Sequence, residues 1–324
     1  MVTENQTVGS IGENEALKRT VSRLNQGEFA IVGSGDDAAV VATDDNRFVV
    51  TTDTMIEGHD FRLDWSSFFD LGFKAVATNV ADLAAMGAKP TALVVAIAVP
   101  PSTLVSHLEA FADGLRTACE TLAPGCSVVG GDLASSDQVF IAVTAHGALE
   151  GREPVLRSGA RIGQIVAVAG TLGRAAAGLS LLQSQNTDAI AAYDEFIATQ
   201  LRPNPPIQAG IDASLAGATS MLDLSDGLAK DAARIAKASG VAIRINRRDL
   251  DGFIAMLEEP ARAIGADAQD WVIGGGEDHS LRATLDVDAE SPRAFKPIGT
   301  VITGEGVYLG DEKLAELGWD SITG

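Results

Sequence analysis

Residues 68–88 read FFDLGFKAVATNVADLAAMGA, and this stretch predicts a long helix that carries charge on one face. The helix is predicted over Phe68–Met86 and is closed by the glycine that follows. Lys74, Thr78 and Asp82 recur every four residues among Ala, Val, Leu and Phe, so they lie along one side. A helix this apolar is buried, and burying a charge without a partner costs several kcal/mol. The charged side chains therefore need each other, a ligand or a metal.

Seven aspartates are spread over this helix and four short polar motifs elsewhere in the chain. Three of the motifs follow apolar runs that are typical of strands, so their acids are expected at strand ends. Carboxylates gathered in one place raise one another's pKa unless a cation lies between them. Hard divalent cations, with phosphate oxygens completing their coordination shells, meet this need. The pattern therefore indicates a magnesium-dependent phosphoryl-transfer site. The acids are Asp36, Asp37, Asp53, Asp82, Asp132, Asp223 and Asp226.

Each motif taken alone also has a purely structural interpretation. Gly33–Asp37 is consistent with a simple turn between strands, and Ser225 or Asp226 with a helix cap. A cap does not account for Asp223, which lies on the same side of its strand as Ser225. Arg157 suits a phosphate, because guanidinium matches phosphate geometry, and it is equally consistent with a solvated surface side chain. The sequence has no P-loop and no Rossmann fingerprint, so a bound nucleotide would need metal ions to hold its phosphate charge.

The composition predicts a soluble protein and argues against several classes of partner. The 324 residues include 44 acidic and 24 basic side chains, and the net charge of −20 argues against binding to nucleic acid or to an anionic membrane surface. Residues 1–9 show no signal-peptide pattern, and the longest apolar run, Ala92–Pro101, is far short of the roughly 20 residues of a membrane span. We therefore expect a cytoplasmic protein. Cys119 and Cys126 predict neither a disulfide framework nor a zinc site.

The length and the pattern of breakers predict two domains. The boundary is placed in the polar segment Glu150–Pro154. Residues 1–150 are predicted to form an α/β domain, and residues 151–324, which mix strands and helices, an α+β domain. In the first domain, strand Phe48–Thr52 is expected to form a hairpin with the strand before it and to deliver Asp53 at its far end.

Taken in order, these segments resemble the thiamine-monophosphate kinases, a family of the aminoimidazole-ribonucleotide-synthetase-like superfamily of ATP-dependent proteins. The match extends over nearly the whole chain, and the joint occurrence of the segments in order is highly specific. The segments are Gly35-Asp36-Asp37-Ala38-Ala39, Thr51-Thr52-Asp53-Thr54, Lys74–Ala88, Gly130-Gly131-Asp132, Arg157-Ser158-Gly159, Leu222–Leu228 and Gly275-Gly276-Glu277-Asp278.

The resemblance implies a two-domain, synthetase-like enzyme. Its N-terminal α/β domain would carry most metal ligands and pair with its copy in a homodimer. Its C-terminal α+β domain would close a cleft for nucleotide and substrate. The implied reaction is direct, magnesium-assisted, in-line transfer of the γ-phosphoryl group of ATP to thiamine monophosphate, which gives thiamine diphosphate. ATP is then the co-substrate, and several Mg²⁺ ions are the cofactors.

The resemblance also implies roles for individual residues, which share the chemistry of oxygen ligands or phosphate contacts. The implied magnesium ligands are Asp37, Thr51, Thr52, Asp53, Asp82, Asp132, Asp223 and Asp226. Of these, the implied catalytic residues are Asp82, Asp132 and Asp223. The implied nucleotide contacts are Gly131, Asp132, Arg157 and Ser225. The implied substrate contacts are Asp60, Glu277 and Trp319.

Two segments depart from the family pattern, both on the substrate side. Asp60 stands where the family usually has a histidine, with His59 one residue early. The Gly-Gly-Glu-Asp segment ends in His279-Ser280-Leu281 instead of Tyr-Glu-Leu. Two alternatives stay open. One is another ATP-dependent enzyme of the superfamily, acting in phosphoribosyl-aminoimidazole synthesis, and the other is a non-catalytic nucleotide or divalent-cation binding protein.

Overall fold

The chain folds into two compact units in the computed structural model. The first comprises Met1–Leu83 and Lys89–Gly151, and the second comprises Ala84–Ala88 and Arg152–Gly324. The short segment Ala84–Ala88, which lies within residues 1–150, therefore groups with the second unit. None of the helices in the described part of the chain has the length and apolarity needed to cross a bilayer. The structure describes residues 6–25, 27–32, 40–290, 292–314 and 318.

The first unit combines helices with a four-stranded sheet. The strand order of that sheet is β3-β6-β4-β5, and only β4 and β5 run parallel, while β1 and β2 form a separate pair. In chain order the elements are α1 Val8–Ile11, α2 Glu13–Val21, β1 Ala30–Val32, β2 Val40–Val41, β3 Val49–Ile56, α3 Phe68–Ala85, β4 Lys89–Val99, α4 Val105–Leu122, β5 Ser127–Ser135 and β6 Phe140–Ala148.

Alternation along the strands gives this sheet one buried and one open face. On β4, Val95 and Ile97 are buried, whereas Val94, the residue before Val95, is 37% exposed. On β6 the same alternation buries Ile141 and Val143. Since a strand has a period of two, residues in register across the sheet share a face. The large apolar side chains of β4 and β6 that are buried therefore lie on one side of the sheet.

The predicted hairpin ending at Asp53 is wrong. Strand β3 pairs with β6 over eight residues and continues to Ile56, so Asp53 lies inside the strand, opposite Val143. Its neighbour in sequence, β2, pairs with β1 instead. Asp132 is likewise inside its strand, since β5 continues through Gly130–Asp132 to Ser135. Long-range pairing thus extends both strands beyond the turn signals that local sequence offers.

Helices α3 and α4 touch through two glycines. A Cβ added to Gly72 would lie 2.1 Å from the carbonyl oxygen of Phe111, and one added to Gly114 would lie 2.1 Å from that of Phe69. Real Cβ atoms do not approach so closely, so each position admits only glycine without moving a helix. This contact holds α3, which carries Asp82, at a fixed distance from α4.

The second unit is an α+β arrangement around a seven-stranded sheet, so the mixed fold class predicted from the sequence is confirmed. The strand order is β13-β12-β9-β11-β7-β10-β8, antiparallel except between β12 and β9. The elements are β7 Ile165–Ala169, α5 Arg174–Ser184, α6 Thr187–Ala192, α7 Asp194–Leu201, α8 Ile207–Leu215, β8 Ser220–Leu224, α9 Leu228–Ser239, β9 Ala242–Ile245, α10 Arg247–Ala255, α11 Glu258–Ile264, α12 Ala268–Gly274, β10 Ser280–Leu285, β11 Phe295–Ile302, β12 Gly306–Leu309 and β13 Glu312–Lys313.

Helix α9 covers the core of this unit. Its residues Leu228, Ala232 and Ile235 recur at intervals of four and three and are fully buried among the apolar side chains of the sheet. The helix ends at Gly240, whose φ of 65° is left-handed. Strand β8 leads into this helix, so the five residues from Asp223 to Gly227 join the sheet to the helix start.

Candidate functional site

Strand β8 presents Asp223 on the side opposite to the apolar core. Leu222 and Leu224 belong to the core, and the period of two turns Asp223 the other way, in register with Leu281 of β10. Asp223 is only 3% exposed. Its Oδ2 lies 3.2 Å from Nδ1 of His279, which is also buried. Asp223, one of the two predicted magnesium ligands of this unit, is therefore an enclosed carboxylate in contact with an imidazole.

A second buried acid, Asp231 of α9, lies behind the loop that carries Asp226. Its Oδ2 accepts the backbone N–H of Asp226 at 3.0 Å, and its Oδ1 pairs with Nη1 of Arg234 at 2.5 Å. Burial raises the pKa of Asp231 to about 6, and the negative charge of Asp223 acts in the same direction. The two acids are therefore close enough to repel each other.

Cations of the protein itself offset part of this negative charge. Asp226 forms ion pairs with Arg234 and, at 3.5 Å, with Lys230. Arg282 of β10 is fully buried, and its Nη2 donates to the backbone carbonyl of Asp231 at 2.9 Å. Burial lowers the pKa of the Arg282 guanidinium to about 10. Asp226, a predicted magnesium ligand, thus already has two cationic partners.

The glycine-rich loop before β10 packs tightly on the loop after β8. A Cβ on Gly276 would lie 2.2 Å from the carbonyl oxygen of Ser225, and one on Gly227 would lie 2.5 Å from that of Gly274. Gly227 also has a φ of 112°. The lack of a side chain at these glycines therefore lets the loop before β10 approach the loop after β8 closely. That packing also places the predicted nucleotide contact Ser225 beside the predicted substrate contact Glu277, whose backbone N–H donates to the Ser225 carbonyl at 2.9 Å.

In the first unit the structure brings Thr51 and Asp82 together. The Thr51 hydroxyl of β3 donates to Oδ2 of Asp82 on α3 at 2.8 Å. Asp53, two residues along β3, lies on the same face as Thr51 and is exposed. Thr52 lies on the other face and donates its hydroxyl to the backbone carbonyl of Val143. Three of the predicted ligands, Thr51, Asp53 and Asp82, therefore share one side of the sheet.

Asp132 is not near these residues within one chain. It lies on β5, at the opposite edge of the sheet from β3. Three strand spacings separate these two edge strands, which is roughly 14 Å. Its register with Ala96 places it on the open face, where it is exposed. Gly131 before it has a structural reason to be glycine, because a Cβ there would lie 2.0 Å from the carbonyl oxygen of Val95. Both residues border an apolar cavity of about 930 Å³, a size common among ligand pockets.

The remaining predicted residues differ in what the structure shows of them. Asp60 is half-buried and its Oδ2 accepts the backbone N–H of Ile56 at 2.7 Å, so it closes its own turn. Arg157 lies in a 3₁₀ turn with an exposed side chain. Asp37 and Trp319 lie outside the residues that the structure describes.

The donor types at the predicted site fit magnesium. Thr51, Asp53, Asp82, Asp132 and Asp223 offer only hydroxyl and carboxylate oxygens, which are the hard ligands that Mg²⁺ prefers. Among residues 6–25, 27–32, 40–290 and 292–314, however, no group of three or more His, Cys, Asp or Glu side chains comes close enough to hold a metal ion.

Sequence reasoning missed Asp231, Arg282 and the role of His279. Asp231 had a weak signal, because Arg234 follows it at the spacing of an ion pair on one helix face. Arg282 sits in an apolar strand pattern and gave no signal. His279 was visible only as a departure from the family pattern, and its contact with Asp223 depends on the pairing of β8 with β10.

Comparison with known proteins gives the class of the first unit. Residues 35–149 match the family described as AIR synthase related protein, N-terminal domain. The match covers the four-stranded sheet, both long helices and the predicted ligands Thr51, Asp53, Asp82 and Asp132. The first unit thus belongs to the AIR-synthase-related class.

Relatives that match nearly the whole chain identify the family within this class. The thiamine-monophosphate kinase of Mycobacterium tuberculosis strain H37Rv is 41% identical over 324 residues, which cover 99% of this chain and 95% of that protein. The crystal structure of thiamine monophosphate kinase from Aquifex aeolicus is 32% identical, with a TM-score of 0.75, and the match covers 82% of this chain and 89% of that one. The structure of AaThiL complexed with AMPPCP and TMP is 31% identical, with a TM-score of 0.77 and 96% of both chains covered. The chain belongs to the thiamine-monophosphate kinase family.

Proposed function

We propose that this protein transfers the γ-phosphoryl group of ATP to thiamine monophosphate and releases thiamine diphosphate and ADP. The observation that carries the proposal is the relation to thiamine-monophosphate kinases over nearly the whole chain. The likeness to a structure that holds both AMPPCP, an ATP analogue, and TMP supports the same pair of substrates. We place the reaction in the cytoplasm, where ATP is supplied.

Phosphoryl transfer requires alignment of the reacting groups and charge neutralisation more than it requires a covalent catalyst. A phosphate oxygen of thiamine monophosphate attacks the γ-phosphorus of ATP, and the bond from that phosphorus to the β,γ-bridging oxygen breaks as ADP leaves. The attacking phosphate is already ionised near neutral pH, so no strong general base is needed. The main obstacle is to bring two anions together in line.

Magnesium, when bound, would screen this repulsion and fix the phosphate oxygens. We assign its ligands in the first unit to Thr51, Asp53, Asp82 and Asp132, and in the second to Asp223. The Thr51–Asp82 hydrogen bond supports this assignment, because it brings a hydroxyl and a carboxylate from two different elements to one place. For Asp223, burial beside a second acid supports it, since a nearby dication offsets that electrostatic cost.

For the other predicted ligands and contacts, fewer structural observations support the proposed role. Asp37 is proposed as a further ligand from the sequence alone. Asp226 is proposed to assist through whichever oxygen its ion pairs with Arg234 and Lys230 leave accessible. Arg157, with its exposed side chain, is proposed to contact the nucleotide phosphates.

We also propose that the protein acts as a homodimer whose copies pair through the open faces of their four-stranded sheets. Phe48, Val50 and Val94 leave apolar surface exposed in the first unit, at 57%, 54% and 37%, and such patches mark interaction sites. Strands β3 and β5 form the two edges of the sheet, and sheet edges are ready to pair with another chain. If β5 of the partner lies beside β3, Asp132 of the partner subunit is brought to the sheet edge that carries Asp53.

A coupled assay of ADP release tests the reaction. The purified protein is expected to consume ATP when thiamine monophosphate is added. It is not expected to do so when free thiamine, or a precursor for phosphoribosyl-aminoimidazole synthesis, is added instead. Asp132→Asn and Asp223→Asn should lower turnover by about two orders of magnitude or more. The matched controls Asp137→Asn and Asp251→Asn, which remove the same charge at exposed positions, should not. Near-normal turnover of both site variants at saturating magnesium would reject the assignment, and nucleotide binding without turnover would favour a non-catalytic binding protein.

Mixing two inactive variants tests the shared site. If each site is built across the two copies, a heterodimer of Asp53→Asn with Asp132→Asn has two different sites. One site carries both substitutions, and the other site carries neither. Random exchange in a symmetric dimer should therefore restore about a quarter of wild-type activity. If both acids act within one chain, every site keeps one substitution and no activity returns.

A further inference from the structure

His279 contacts the carboxylate of Asp223 within a buried part of the second unit. Nδ1 of the ring lies 3.2 Å from Asp223 Oδ2, and the two side chains are 4% and 3% exposed. An ionised carboxylate only accepts hydrogen bonds, so the ring nitrogen is the donor in this pair. One oxygen of Asp223 is therefore occupied by a neutral or charged imidazole of the protein.

The backbone around His279 is constrained in a way that sets the position of the ring. His279 and Glu277 both have left-handed φ values, 49° and 70°, which are uncommon for residues other than glycine. Between them, Asp278 is buried and its carboxylate accepts from the Thr171 hydroxyl at 2.6 Å and from the N–H of Arg174 at 3.2 Å. The N–H of His279 donates to the carbonyl of Leu224 at 3.2 Å. Strain of this kind persists only where the surroundings over-determine the conformation.

The contact with His279 gives the Asp223 carboxylate a defined orientation, because it holds one of its two oxygens in place. Hydrogen-bond partners of metal-binding carboxylates act in this way on metal affinity in other proteins.

We propose that His279 is a positioning residue that fixes the Asp223 carboxylate through its Nδ1–H donor, so that the other oxygen is available to magnesium. This inference rests on the proposed function, in which Asp223 is a magnesium ligand. It assigns a use to a residue at which this chain departs from the family pattern. A ring that only filled space would affect stability and would leave magnesium binding unchanged.

Two substitutions separate the donor from the bulk of the ring. In His279→Asn the side-chain amide places an N–H where Nδ1 stands, and asparagine tolerates a left-handed backbone better than most residues. In His279→Leu the branching is kept and the donor is lost. His279→Gln, whose amide lies one bond further from the backbone, serves as a second donor-displaced variant if the leucine variant does not fold.

The readout is calorimetric binding of AMPPCP to the full-length protein over a series of magnesium concentrations. His279→Leu, or His279→Gln in its place, should raise the half-saturating magnesium concentration about tenfold or more. His279→Asn should stay within about threefold of wild type. Steady-state kinetics should show the same shift in magnesium dependence, with the KM for thiamine monophosphate unchanged.

Asp223→Asn provides the reference that keeps the two claims apart. If Asp223→Asn leaves the magnesium dependence unaltered, the proposed ligand is wrong, and the function assigned to Asp223 fails. If Asp223→Asn shifts the magnesium dependence and His279→Leu or His279→Gln does not, the positioning role is overturned while the ligand stands. Equal shifts in the Asn and Leu variants would also overturn it, because the donor would then not be what matters.

Discussion

The buried acid Asp231 should make the second unit less stable as pH rises through the weakly acidic range. Its pKa is raised from an ordinary 3.8 to about 6, first by burial and then by Asp223. Between these two values the unfolded chain has lost the proton and the native state has kept it, so the native state binds more protons. Stability then falls with increasing pH. The stability that the bound proton contributes is fully present below about pH 4 and is lost above about pH 6.

The size of the effect follows from the pKa. A change from 3.8 to about 6, at about 1.4 kcal/mol per pKa unit, corresponds to about 3 kcal/mol. Asp231→Asn removes this titration and keeps an oxygen that can accept the N–H of Asp226. Relative to the variant, the unfolding free energy of wild type should therefore fall by about 3 kcal/mol between pH 4 and pH 7.5.

Urea unfolding with EDTA, in a Trp65→Phe and Trp319→Phe background, makes this measurable, because Trp271 is then the only tryptophan and lies in the second unit. Taking the difference between wild type and variant at each pH removes the titration of the other acids. A difference that stays constant from pH 4 to pH 7.5 would refute the reasoning. It would mean that Arg234 and Arg282 keep Asp231 ionised in the native state at both pH values.

Two further outcomes are expected. Gly114→Ala should destabilise the first unit by about 2 kcal/mol or more, because the added Cβ would meet the Phe69 carbonyl at 2.1 Å. The control Gly252→Ala in α10 should be neutral or stabilising, because there is open space around that position. Urea unfolding of both variants checks this, and equal effects would contradict it. Thr51→Val should raise the magnesium concentration needed for half-maximal activity while Thr51→Ser should not, since only the hydroxyl contacts Asp82. Indistinguishable magnesium curves for the two variants would remove Thr51 from the ligand set.

Local sequence was sufficient for the elements that local physics determines. The long helix α3 and the helix α9 with its glycine terminator follow from periodicity and capping signals. The acidic motifs also identify the residues worth testing. Local signals could not show that β3 extends past Asp53, because its partner β6 begins 84 residues after Ile56 in the chain. The same limit hides the edge-to-edge separation of Asp53 and Asp132, which depends on the order of all four strands.

Non-local pairing also determines the surroundings of Asp223. His279 and Arg282 reach the neighbourhood of Asp223 and Asp231 only because β10 pairs with β8 across more than fifty residues of chain. No periodicity or capping rule connects those positions. Sequence could therefore indicate an acidic site in this unit and could not indicate the cations and the imidazole that accompany it.

The two units thus hold their acids in different ways, and this difference orders the proposed ligands. In the second unit Asp226 is already paired with Arg234 and Lys230, and a cation that binds it must compete with those partners. In the first unit Asp53 and Asp132 are exposed at sheet edges, on a protein whose net charge is −20. Dication binding there would relieve repulsion among these carboxylates. Loss of Asp132 should therefore weaken magnesium binding more than loss of Asp226, whose removal also releases Arg234 to strengthen its pair with Asp231.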